Sequence, residues 1–122
     1  MGDFHADLIK FITIPKADLT ASTPSLTEAI KVRGWRTKTI LVVNFQGGEV
    51  GSPSNVAVDI LIGVRGVGFV AASGLTGGVA TSTVAFRSSL DDAFEEIKIS
   101  VTPGVTLPES IQIQVTGGME RA

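Results

Sequence analysis

Asp3, His5 and Asp7 alternate along the chain, so a strand there would set two carboxylates and an imidazole on one face, the donor types of a transition-metal site. His5 is the sole histidine and no cysteine exists to complete a ligand set, so no metal is expected. A terminal segment of this kind reads better as a docking arm, in which Phe4 and Leu8 are the apolar contacts. Asp91, Asp92, Glu95 and Glu96 form a second cluster, of hard oxygen ligands. They lack the Gly-interrupted Asp/Asn spacing of a calcium loop and read as a solvated acidic rim.

The third cluster is basic: Lys31, Arg33, Arg36 and Lys38 are four of the ten Lys and Arg residues of the chain. Only Trp35 interleaves them, and the net charge is -2, so no nucleic-acid partner is expected. Charge complementarity between this stripe and the acidic run, within a subunit or across an interface, is the better reading. Trp35, the sole tryptophan, reads as a core or interface anchor before a sugar platform. The glycines at 47–48 and 74–78 precede neither Lys-Ser/Thr nor a helix, so they are turns rather than phosphate loops. No group of residues offers a nucleophile, a base and an orienting acid together; no catalytic residue and no cofactor are expected.

The elements that must position these clusters read as short strands. Residues 9–14 (I-K-F-I-T-I) are β-branched and closed by Pro15. Residues 25–28 have capping-box spacing and suggest a short helix or bend. Residues 31–45 alternate as one strand, with Arg36, Lys38, Ile40, Val42 and Asn44 on one face and Trp35, Thr37, Thr39, Leu41, Val43 and Phe45 on the other. Residues 47–55 read as a long exposed loop. Residues 56–64 and 67–73 flank a two-residue hairpin at Arg65-Gly66, with Val56, Val58, Ile60, Ile62 and Val64 forming a core face. Asp59 is expected on the exposed face of that strand. Residues 79–88 read as one more strand with Val84 and Phe86 inward. Clear alternation at Ile97, Ile99 and Val101, and again at Ile111, Ile113 and Val115, marks two further strands, expected as a terminal hairpin over 97–116.

About seven or eight short strands without crossover helices predict an all-β, antiparallel β-sandwich, either jelly-roll or immunoglobulin-like. The 122 residues suit one domain, expected as an arm over 1–8 and a sandwich over 9–122.

Composition narrows the setting. Hydrophobic residues make up 43% of the chain and charged residues 18%, against about one quarter in typical domains. Mean hydropathy is +0.36, yet no apolar run approaches the ~18 residues of a membrane helix, so no membrane partner is expected. The first residues carry Asp3 and Asp7 and no basic or sustained apolar region, unlike a secretory signal. Synthesis and use in the cytoplasm, or release by lysis, are expected. A surface short of charge favours association with other copies.

In style the chain resembles the small β-sandwich accessory proteins of tailed-phage particles, the capsid cement or decoration type. The likeness rests on the Gly/Thr/Val-rich short strands, the lack of cysteine, the arm and the terminal hairpin ending at Gly117-Gly118. It implies a homo-oligomer, a trimer foremost, that binds major capsid or other virion proteins, is made in the host cytoplasm and resides on the virion. A phage tail or fibre component, or a carbohydrate-binding or adhesin module, is the alternative function. The residues expected at such interfaces are Phe4, Leu8, Lys31, Arg33, Trp35, Arg36, Lys38, Asp91, Asp92, Glu95 and Glu96.

Overall fold

A computed structural model of the chain describes residues 3–32, 35, 37–46, 49–50, 56–64, 66–71, 78–80, 86–90 and 95–121. In chain order the strands are β1 (Asp3–Pro15), β2 (Ser25–Leu26), β3 (Ile30–Lys31), β4 (Thr37–Gln46), β5 (Glu49–Val50), β6 (Val56–Val64), β7 (Gly68–Ala71), β8 (Gly78–Ala80), β9 (Phe86–Leu90), β10 (Glu96–Pro103) and β11 (Ser110–Arg121). A 3-10 turn, Lys16–Asp18, follows Pro15. No helix among the described residues is long and apolar enough to cross a membrane.

The strands form two antiparallel sheets. One runs β1-β11-β4, with β5 and β9 both on the far edge of β4. The other places β2 and β3 on one edge of β10, then β6, then β7 and β8. The chain changes sheet at six of the ten connections between these strands, and its first and last strands are neighbours. Taking β2 with β3 and β7 with β8 as interrupted single edges, the nested pairs β1/β11, β2-β3/β10, β4/β9 and β6/β7-β8 give the jelly-roll order.

Alternation explains why these residues form two packed layers. Along β10, buried Ile97, Ile99 and Val101 alternate with half-buried Glu96, Lys98, Ser100 and Thr102. The register sets Ile97, Ile99 and Val101 opposite Ile62, Ile60 and Val58 of β6. In the other sheet, Ile111, Ile113 and Val115 stand between Ile12 and Ile14 of β1 and the buried face of β4. The inner faces thus meet as a core of Val and Ile, residues whose branched side chains fit a pleated surface. Gln112, Gln114 and Thr116 take the outer face.

Several expectations are corrected by the pairing. The arm expected over residues 1–8 is strand from Asp3 onward, because residues 3–8 pair with 116–121 before the ladder continues to Pro15. The expected hairpin over 97–116 does not form: β10 and β11 lie in different sheets, and β11 runs through Gly117-Gly118 to Arg121. The run 31–45 is also divided, with β3 in one sheet and β4 in the other. The run 79–88 divides likewise into β8 and β9, and Val84 lies outside the described residues. No helix forms at 25–28, where Ser25–Leu26 is edge strand. The β6–β7 turn is one residue longer than expected, since Val64 pairs with Gly68, and Gly66 supplies the positive φ of 80° that the tight turn requires. Asp59, expected exposed, is half-buried opposite Ser100.

Candidate functional site

The two sheets do not close on each other along the side formed by β1 and by β2 and β3. A groove of about 740 Å³ opens there. Its apolar lining comes from Ile9, Ile12 and Ile14 of β1 and from Leu26 and Ile30 of β2 and β3. Lys10, Asp18, Glu28 and Lys31 add two charges of each sign.

Two local irregularities build this groove. The first is a bulge in β1, where the register against β11 steps from Leu8↔Thr116 to Lys10↔Val115 and leaves Ile9 as the extra residue. The second lies opposite, where β2 pairs with residues 100 and 101 and β3 with residues 96 and 97. Residues 27–29 therefore span only 98 and 99. Thr27 repairs the interrupted ladder. Its backbone N–H donates to Ile99 O at 2.9 Å, and its Oγ1 accepts from Ile99 N at 3.0 Å.

The residues expected at interfaces fall in different places. Leu8, on β1, is 60% exposed, and Phe4 sits at the register position of Glu120. Lys31 is exposed and stands at the register position opposite Glu96 on the neighbouring strand. Glu95 is exposed, and its backbone carbonyl accepts from Val32 N at 2.8 Å. Lys38 is only 2% exposed, on the inner face of β4 opposite Gly117, because the face it shares with Ile40 and Val42 is the one turned to the core. It therefore presents no charge on the surface of the chain. Trp35 is half-buried over Gly117. Arg33, Arg36, Asp91 and Asp92 lie outside the described residues.

Nothing in the sequence marks Ile9, Lys10, Ile12, Ile14, Leu26, Thr27 and Glu28 as residues of one groove. The alternation of residues 9–14 was visible, but it reads as ordinary core facing, and nothing local says that the opposite edge is interrupted. Two phenylalanines also lie on outer faces. Phe11 is 45% exposed, and Phe69 covers Gly63 and receives Lys98 Nζ at 4.6 Å from its ring centre, a cation–π contact on the outside of the second sheet. Among the described residues, no group of three or more His, Cys, Asp or Glu side chains is placed to hold a metal.

No family model matches the chain, and no curated protein matches it. A solved structure similar to it is a chain from Bacillus endospore appendages, described as a family of disulfide-linked pili. The likeness has a TM-score of 0.51 at 11% identity and covers 100% of this chain and 92% of that one. The two share a fold. That neighbour is an appendage protein rather than a capsid cement protein, so the phage resemblance stands on composition and style alone.

Proposed function

We propose that this chain is a non-enzymatic structural subunit that assembles with copies of itself. The observation that carries the reading is the fold shared along its whole length with a chain from pili. Surface composition supports it. With 18% charged residues, the chain leaves Leu8 and Phe11 exposed on β1 and Leu26 exposed at the groove, at roughly 25 cal/mol for each Å² of apolar surface left wet. The disulfide linkage of the neighbouring pili has no counterpart here, because this chain contains no cysteine. Its copies must be joined by strand pairing, apolar burial and charge.

A second reading, a cement protein that binds between capsid subunits of a tailed phage, is favoured by the jelly-roll order, an architecture also used by viral capsid domains. In that case the protein is made in the host cytoplasm and resides on the virion. Sedimentation velocity and negative-stain microscopy at micromolar concentration separate the two. Fibres or rings from the protein alone support the appendage-like polymer, whereas small oligomers that co-sediment with capsids support cement. A strict monomer with no affinity for capsids overturns both and leaves a carbohydrate-binding module ahead.

A further inference from the structure

The strand β1 is 13 residues long and pairs with β11 on one side only. No strand among the described residues takes its other side. The remaining edge segments, β2, β3, β5, β7, β8 and β9, are two to five residues long. Short edges are protected by their brevity, but a long one is a template for another strand.

We propose that a second copy of this chain docks on the β1 edge, the two β1 strands pairing antiparallel across a two-fold axis with Asp7 of each copy opposite Lys10 of the partner subunit. The proposal rests on the self-assembly reading and names its contact surface. Two identical edges related by a two-fold pair antiparallel, and such closed contacts are the commonest in homo-oligomers.

Charge and the bulge select the register. Between Asp3 and Pro15 the acidic residues are Asp3 and Asp7 and the one Lys or Arg is Lys10. Registers centred on Asp7 or on Lys10 would oppose like charges directly, which is unfavourable. A register centred between Leu8 and Ile9 instead opposes Asp7 and Lys10 twice. In a regular strand these two residues, three apart, would belong to opposite faces and could not stand opposite each other. The bulge removes that obstacle: Asp7 is at the register position of Gly117 and Lys10 at that of Val115, two positions of the same face of β11. In the same register Ala6 meets Phe11 of the partner subunit.

Apolar area lies along the same line. Leu8 is 60% and Phe11 45% exposed on β1, and Leu26, 53% exposed, lines the groove behind it. A standard interface removes about 800 Å² from each partner, roughly one ninth of the 6992 Å² surface of this chain.

The test uses the absence of native cysteine, which makes any disulfide-linked dimer report an engineered position. In the proposed register the two copies of residue 8 lie about 6 Å apart, from strand spacing and rise, within disulfide reach. Leu8→Cys is expected to give a covalent dimer on mild oxidation, and Val105→Cys, at an 87% exposed site away from β1, is not. Lys10→Glu is expected to weaken association about tenfold by sedimentation equilibrium, and adding Asp7→Lys to the same chain is expected to restore it. Assembly that proceeds at the wild-type level in Lys10→Glu, with no cross-linking through Leu8→Cys, overturns this surface and leaves self-assembly standing. A wild-type protein that stays monomeric overturns both.

Discussion

The indole of Trp35 lies on the backbone of Gly117, so closely that a Cβ at that glycine would overlap the ring. Gly117 is buried in β11, opposite the equally buried Lys38 of β4, and Trp35 reaches it from the segment that carries the chain from β3 into β4. Trp35 N donates to Val32 O at 3.4 Å. The aromatic ring thus occupies the space that a side chain on β11 would have filled.

Gly117→Ala is expected to lower stability by about 1–3 kcal/mol, the usual cost of forcing extra volume into a packed site. Because the Cβ and the indole compete for one volume, the cost should shrink when Trp35→Ala is also present. A double-mutant cycle by urea denaturation checks this. Additive effects would show that the ring does not rest on Gly117.

Ile99 is buried in β10 between β6 and the Thr27 bridge. Ile99→Ala is expected to cost about 2–5 kcal/mol, while Val105→Ala, at an 87% exposed site, changes stability by less than about 0.5 kcal/mol. Denaturation midpoints at constant slope read both.

Thr27 replaces a missing backbone acceptor for Ile99 N through its Oγ1 at 3.0 Å. Thr27→Val keeps the shape and removes the acceptor, with an expected loss of about 1–2 kcal/mol. Amide hydrogen exchange at Ile99 should quicken in the same variant. Unchanged exchange would mean that the edge ladder does not depend on this hydroxyl.

Ser22 has a φ of 56°, a left-handed conformation that residues with a Cβ rarely adopt. It sits in a turn closed by Thr23 N donating to Thr20 O at 3.2 Å, and its own N–H donates to Pro103 O at 3.1 Å. Ser22→Gly is expected to raise stability by up to about 1 kcal/mol, the relief of backbone strain less the entropy of a glycine. A melting temperature that falls would count against this.

Lys31 and Glu96 face each other across β3 and β10. Lys31→Glu places like charges opposite and is expected to cost about 0.2–1 kcal/mol. Because Lys31 is exposed, the difference should narrow at high salt. Thermal melts at low and high ionic strength measure it.

Alternation by itself determined the all-β class and the inner faces of β6, β10 and β11. Val58, Ile60, Ile97, Ile99, Val101, Ile111, Ile113 and Val115 are all buried as their period-2 pattern requires. A pattern of that kind is local, since each side chain's face depends only on its neighbours in the strand. Only the tertiary structure decided which strands pair, because partners come from distant parts of the chain and many pairings satisfy the same alternation. So β10 and β11, which look like a hairpin in sequence, lie in different sheets, and β11 joins residues 3–15 from the other end of the chain. The burial of Lys38 followed from the same choice, since either face of residues 37–46 could have met the core until β4 was set between β11 and β9. The candidate site was the least legible part. The bulge at Ile9 and the interruption at Thr27 exist only relative to the strands beside them, and the groove between them is a property of two edges that approach without closing.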